Sequence, residues 1–222
     1  TDILDSRARR ARRARAAKRT ESAFLIERCA QDTAERLSDI SRQFEHALII
    51  APPSFWDLLM RYLPEDKRPM NSTFCYDSEA LPPHMVSSLD SALPFKENSF
   101  DLVISVLNLH SVNDLPGALM NIAHILVPDG LMLAAYFGGT TLTQLRQSLY
   151  SVESAIQGGL SPRVMPMIDF SQSASLLQRA GFALFGELIA HFVAVIGVQR
   201  AGCLKQTLVA GHVDQFLGHL NG

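Results

Sequence analysis

The chain has 222 residues, of which 47% are hydrophobic and 19% are charged. This length is enough for the core of one ordinary domain, and this composition excludes long disorder. Every apolar run is shorter than the roughly 18 residues that a membrane-spanning helix needs. The three cysteines are too widely spaced to predict a disulfide framework or a zinc site. We therefore expect a soluble protein with free thiols in a reducing compartment.

Residues 1–20 form a basic arm in front of an acidic remainder. The arm holds eight of the twenty Lys and Arg residues and two acids, which leaves residues 21–222 with a net charge of −8. Its alanines and arginines favour a helix, but no apolar face would hold that helix on a core. We predict a mobile or loosely docked arm followed by one domain over 21–222. Contact with nucleic acid or a membrane surface and a solvated helix both remain open.

Helices and strands are predicted to alternate along the domain. Apolar spacing predicts helices over 22–44, 55–63, 115–126, 141–156, 171–180 and 203–220. Short apolar runs predict strands over 47–51, 73–76, 85–89, 102–107, 131–137, 182–189 and 192–198. This order predicts an α/β fold with a mainly parallel central sheet, helices on both faces and a C-terminal antiparallel hairpin.

The most specific pattern lies between residues 93 and 130. Its phrases are Leu93-Pro94-Phe95, Ser99-Phe100-Asp101-Leu102-Val103, Val112-Asn113-Asp114-Leu115-Pro116 and Leu126-Val127-Pro128-Asp129-Gly130. They resemble class I S-adenosylmethionine-dependent methyltransferases of the methyltransferase-11 type, which have a Rossmann-like fold. The phrases Gly138-Gly139-Thr140-Thr141-Leu142, Leu145-Arg146 and Arg179-Ala180-Gly181-Phe182 resemble one branch of that superfamily. That branch holds the mitochondrial complex I assembly factor with arginine-hydroxylase activity and its alphaproteobacterial relatives, and it is close to the biotin-synthesis malonyl-carrier-protein methyltransferases. Residues 183–222 depart from it.

The resemblance implies an S-adenosylmethionine site at the carboxyl ends of the central strands. Relatives have a glycine-rich turn after the first strand, where the backbone approaches the cofactor. Here Ala51 takes the place of the first glycine and Phe55 that of the later one. Pro52 and Pro53 remove two backbone donors, and Phe55 and Trp56 add bulk where the methionine part would lie. We therefore expect weakened cofactor binding at Ala51 and Pro52.

Further along the chain, acidic residues are candidates for the nucleoside half of the cofactor. Asp77, or alternatively Glu79, would supply the ribose-binding carboxylate, although both also suit a surface loop. Asp90 would reach the adenine amine, one residue later than the acid of the relatives. The other residues that the resemblance places around the cofactor are Ser91, Leu93 and Asn108.

Candidate catalytic residues follow the strand 102–107. His110 could act as a base or an orienting donor, and Asp114 lies beside it in the sequence. Asp114 is equally explained as a helix cap, and Asn113 as a turn residue. Arg163 could bind the carboxylate of a substrate or partner, or it is a surface arginine. The other histidines lack metal-ligand spacing, so we predict no metal.

These features predict a methyltransferase-family protein that is weak or non-catalytic and acts as an assembly or partner-binding factor. The resemblance implies a respiratory-complex subunit or a carrier protein as partner, in the bacterial cytoplasm or the mitochondrial matrix. One alternative is an active methyltransferase acting on a carboxylate or a protein side chain. The other is a nucleic-acid-binding module that uses the basic arm, which the acidic remainder disfavours.

Overall fold

A computed structural model describes residues 4–17, 24–79, 81–87, 92–139, 141–157, 159, 163–165, 167–185 and 193–200. The helices are α1 (Ser6–Ala16), α2 (Phe24–Asp39), α3 (Phe55–Tyr62), α4 (Leu115–Ile125), α5 (Thr143–Gln157) and α6 (Phe170–Arg179). The strands are β1 (His46–Ile50), β2 (Asn71–Cys75), β3 (Met85–Val86), β4 (Phe100–Val106), β5 (Leu126–Phe137), β6 (Phe182–Phe185) and β7 (Val193–Arg200). The helix expected over 203–220 lies outside the described residues.

The strands form one sheet in the order β3-β2-β1-β4-β5-β7-β6. Strands β1 to β5 pair in parallel, whereas β7 runs antiparallel to both β5 and β6. The predicted α/β fold with a C-terminal antiparallel hairpin is therefore confirmed. Because parallel strands end at the same edge of the sheet, residues that follow β1, β2 and β4 meet there.

Alternate residues of the central strands serve two apolar cores. Ile49 and Ile104 pack with residues of α2 and α3, including the fully buried Phe55 and Leu59. On the other face, Leu48 and its neighbours pack with residues of α4 and α6. Burial of each large side chain contributes about 1.5–3 kcal/mol, so these two layers fix the positions of the strand ends.

The chain before β1 differs from the predicted helix over 22–44. Helix α2 ends at Asp39, and the carboxylate of Asp101 binds the backbone at the start of β1. That carboxylate accepts hydrogen bonds from the amides of Glu45 at 2.7 Å and His46 at 2.9 Å. Phe44, which we assigned to the helix face, is still buried in the same core. Among the described helices, none is both long and apolar enough to cross a membrane.

Candidate functional site

Three of the predicted cofactor residues come together at the carboxyl ends of the strands. Asp77 follows β2, Asn108 follows β4, and both line a small pocket with Leu93. The side chains of Asp77 and Asn108 are buried, at 1% and 2% exposure. Ala51 and Pro52 line a separate cavity instead. Asp90 and Ser91 lie outside the described residues.

Three residues of the turn after β1 offer no free backbone donor. Pro52 and Pro53 carry no N–H group. The amide of Phe55 donates to the carbonyl of Pro52 at 2.9 Å, so this donor is also occupied. The Phe55 side chain, which we expected to crowd the cofactor, is fully buried in the core. The prediction that Phe55 crowds the cofactor was thus wrong, because the first turn of α3 directs this ring toward α2. The expected loss of backbone donors is present in the structure.

A cavity of about 410 Å³ lies beside this turn. Its lining includes Ala51, Trp56, Phe74, His84 and Met85. The rings of Trp56 and Phe74 meet edge to face at 5.2 Å, and those of Phe74 and His84 at 5.7 Å. Parallel strands are usually joined by a helix, but the described part of the crossover from β2 to β3 contains none. In the described part of the chain, the cavity therefore takes the place of a crossover helix beside Phe74 of β2 and Met85 of β3.

The basic arm lies against the strand ends as helix α1. Nη2 of Arg9 lies 2.5 Å from Oδ2 of Asp77, and Nε of Arg10 lies 3.1 Å from Oδ1. The Arg10 contact is not aligned as a hydrogen bond, so Asp77 Oδ1 is buried without a hydrogen-bond partner among the described residues. The carboxylate proposed for the cofactor ribose is thus already neutralised by the chain itself.

Arg13 extends this contact to β4. Its guanidinium donates to Asn108 Oδ1 and Ser111 Oγ, each at 2.8 Å, and to the Asp77 carbonyl at 3.2 Å. It also stacks over the ring of Tyr76, 4.6 Å from the ring centre. The expected mobile or loosely docked arm is instead fixed by polar contacts, because the missing apolar face is replaced by buried acceptors.

The arginines of α1 divide between two faces. The inward group consists of Arg9, Arg10 and Arg13, and the exposed group consists of Arg7, Arg12 and Arg15. Residues three and four apart share a helix face, so the 9, 10, 13 spacing was visible in the sequence. The acceptors of these arginines were not visible in the sequence, because Arg9 and Asp77 are 68 residues apart. Sequence reasoning therefore missed these arginines as part of the site.

His110 lies close to the inward arginines. Burial, followed by the charges of Arg13 and Arg9, lowers the pKa of His110 from 6.5 to about 4. The imidazole is therefore neutral at pH 7, and its Nδ1 has no hydrogen-bond partner among the described residues. A neutral ring can accept a hydrogen bond, but with this pKa it is a weak base.

The other predicted catalytic residues have structural partners. The carboxylate of Asp114 accepts from the Gly117 amide at 2.9 Å and caps α4. Asn113 exchanges two hydrogen bonds with the backbone of Leu4, ahead of α1. Arg163 forms an ion pair with the buried Glu153 of α5. The structure therefore groups His110 with the arm, and it gives Asp114 and Arg163 other contacts.

Comparison with known proteins places this site in a family. A family described as "Methyltransferase domain" matches residues 72–134. The mitochondrial arginine-hydroxylase NDUFAF5 of Homo sapiens is 38% identical over 194 residues, which cover 82% of this chain and 55% of that protein. The malonyl-[acyl-carrier protein] O-methyltransferase of Halorhodospira halophila is 35% identical over 91 residues, which cover 41% of this chain and 29% of that protein. The chain belongs to the class I methyltransferase superfamily.

Solved methyltransferase structures share the fold. A chain in the complex of the Haloferax volcanii Trm112 methyltransferase activator with a methyltransferase aligns with a TM-score of 0.62 at 13% identity. The alignment covers 87% of this chain and 99% of that one. This methyltransferase-family chain spans about half the length of the curated relatives it matches.

The methyltransferase cofactor fits this site only in part. The buried Asp77 carboxylate suits the two hydroxyls of a ribose, and Leu93 and Asn108 lie beside it. The amino-acid end of the cofactor needs donors for its carboxylate, and the turn from Ala51 to Ser54 lacks two of them. The residues therefore suit the nucleoside half better than the methionine half.

Proposed function

We propose that this methyltransferase-family chain acts mainly by binding a protein partner and transfers methyl groups slowly or not at all. The turn after β1 carries this proposal. Pro52 and Pro53 have no amide donors, and the Phe55 amide is occupied by Pro52. A carboxylate at this turn would lose hydrogen bonds that contribute about 1.5–3 kcal/mol each when one partner is charged. Two such losses correspond to a weakening of about 100-fold or more.

The partner we propose is a respiratory-complex subunit or a carrier protein. Similarity to the human mitochondrial arginine-hydroxylase over most of this chain supports a protein partner. The shorter match to a malonyl-[acyl-carrier protein] methyltransferase supports a carrier protein. The corresponding compartment is the mitochondrial matrix or the bacterial cytoplasm.

Titration calorimetry of the purified chain with S-adenosylmethionine tests the low-activity proposal. We expect a dissociation constant weaker than about 100 µM, which corresponds to roughly −5.5 kcal/mol. The demethylated product should bind in the same weak range, because it has the same amino-acid end. Micromolar binding together with methyl transfer would overturn the proposal.

A second candidate function is methyl transfer to a carboxylate or a protein side chain. The observation that favours it is the neutral His110, which lies at the carboxyl end of β4, where this fold holds substrates. A neutral imidazole can orient a substrate by accepting its proton in a hydrogen bond. Transfer of a labelled methyl group to a malonyl thioester on acyl carrier protein, lost in His110→Phe, would support this function. Absence of label in every acceptor protein tested would exclude it.

A further inference from the structure

We propose that α1 is an autoinhibitory cover, in which Arg9 and Arg10 hold the Asp77 carboxylate and an adenosyl ligand binds only when α1 leaves. This inference rests on the proposed function, because it takes Asp77 as part of the nucleoside site. It adds regulation of that site by the chain's own N-terminal helix.

Helix α1 occupies the polar groups that a nucleoside would contact. A carboxylate has two oxygens, and in Asp77 Oδ2 is bound by Arg9 while Oδ1 lies against Arg10. Arg13 at the same time occupies Asn108 Oδ1 and Ser111 Oγ. Asp77 is 1% exposed with α1 in place. A ribose therefore cannot reach Asp77 unless these guanidinium groups move.

Helix α1 can leave without unfolding the sheet. No residue of α1 is buried, so its departure exposes little apolar surface. Buried ion pairs add little net stability, because the loss of hydration offsets their attraction. The pair between Arg10 and Asp77 also lacks hydrogen-bond alignment. The cover is therefore held by ion pairs and hydrogen bonds rather than by apolar packing.

The charge of the ligand matters at this site. Two guanidinium groups contact the Asp77 carboxylate and a third contacts its backbone carbonyl, so the covered site is positively charged. S-adenosylmethionine carries a sulfonium cation, whereas its demethylated product does not. Both ligands bind only after α1 leaves, so removal of the cover should improve binding of both by a similar factor. The uncovered Asp77 carboxylate attracts the sulfonium cation in every variant of the chain.

The experiment compares two double variants of the full chain. Arg9→Ala/Arg10→Ala removes the two guanidinium groups from Asp77, and Arg7→Ala/Arg12→Ala removes the same charge from the exposed face of α1. Each variant is titrated with S-adenosylmethionine and with its demethylated product at low salt. We expect Arg9→Ala/Arg10→Ala to bind S-adenosylmethionine about 10-fold more tightly than the wild type, a change of about 1.4 kcal/mol. Arg7→Ala/Arg12→Ala should remain within about 2-fold of the wild type.

Salt and amide exchange give independent readouts. Raising the salt concentration should tighten ligand binding to the wild type, because it weakens the arginine contacts with Asp77. The same change should not tighten ligand binding to Arg9→Ala/Arg10→Ala, which lacks these contacts. Hydrogen exchange at α1 should increase when ligand binds to the wild type.

Three results would overturn the cover. They are weaker binding in Arg9→Ala/Arg10→Ala, equal changes in both double variants, and no binding by Arg9→Ala/Arg10→Ala at millimolar ligand. Weaker binding would mean that α1 closes over the ligand. Tight binding and methyl transfer by the wild type would instead contradict the proposed function, while a further gain in Arg9→Ala/Arg10→Ala would still support the cover.

Discussion

The imidazole of His110 packs edge to face against the ring of Phe137, with ring centres 4.6 Å apart. The contact joins the residues that follow β4 to the end of β5, at the edge where the arm is docked. An apolar ring on one side and guanidinium groups on the other both disfavour a charged imidazole. His110 is therefore a neutral group that acid titrates.

Acid should destabilise the protein through His110. The folded pKa is about 4 and the ordinary value is 6.5, so the unfolded chain binds more protons between these values. Stability contributed by neutral His110 is present above about pH 6.5 and is lost as the pH falls toward 4. The loss is on the order of 2–3 kcal/mol in urea unfolding. His110→Gln should show a flatter pH profile, and identical profiles would contradict this prediction.

The cap of α4 predicts that a side chain at Gly117 displaces the Asp114 carboxylate. A Cβ on Gly117 would lie 2.2 Å from Asp114 Oδ2, so the carboxylate would have to move and release the amide it caps. We expect Gly117→Ala to lower the free energy of unfolding by up to about 1 kcal/mol, because the loss of the cap, about 1–2 kcal/mol, exceeds the gain from the higher helix propensity of alanine, which is at most about 1 kcal/mol. Met120→Ala, at an exposed position of the same helix, is the control. A stabilised Gly117→Ala protein would show that the cap adds nothing.

Local signals predicted most of the fold. The apolar runs of β1 and β4, the Asp114 cap and the hairpin of β6 and β7 each depend on residues close in sequence. The helix placed over 22–44 was too long because Phe44 continues the apolar spacing, although α2 ends at Asp39 and a distant carboxylate binds the amide of Glu45. That carboxylate, on Asp101, is 56 residues from Glu45 and leaves no local signal.

The candidate site was predicted less completely, because long-range contacts build it. Asp77 and Asn108 were placed by the resemblance to methyltransferases, and the parallel order of the strands brings them to one edge of the sheet. The docking of Arg9 on Asp77 depends on a buried acceptor that only the folded sheet creates. Likewise, the sequence of Phe55 and Trp56 shows two bulky rings, but the start of α3 decides which one is buried in the core.

The hydrogen bonds between the Asp101 carboxylate and the start of β1 predict that loss of this carboxylate strongly destabilises the protein. This carboxylate accepts from two consecutive amides and lies 3.9 Å from the guanidinium of Arg42. Asp101→Ala removes hydrogen bonds to a charged group, so we expect a loss of about 2–3 kcal/mol in thermal or urea unfolding. Glu97→Ala, an exposed acid on the loop before β4, should change stability by less than about 0.5 kcal/mol. Equal losses of stability in Asp101→Ala and Glu97→Ala would mean that these hydrogen bonds contribute nothing to stability.

Replacing the two prolines of the β1 turn should strengthen cofactor binding. Pro52→Ala/Pro53→Ala restores two amide donors, and we expect S-adenosylmethionine to bind about 100-fold more tightly. Pro64→Ala, beyond the end of α3, controls for the general effect of losing a proline. Because the turn serves the amino-acid end and Arg9 serves the nucleoside end, the gains should multiply when Arg9→Ala/Arg10→Ala is added. A combined gain no larger than either one alone would place the turn and the arm in contact with the same part of the ligand.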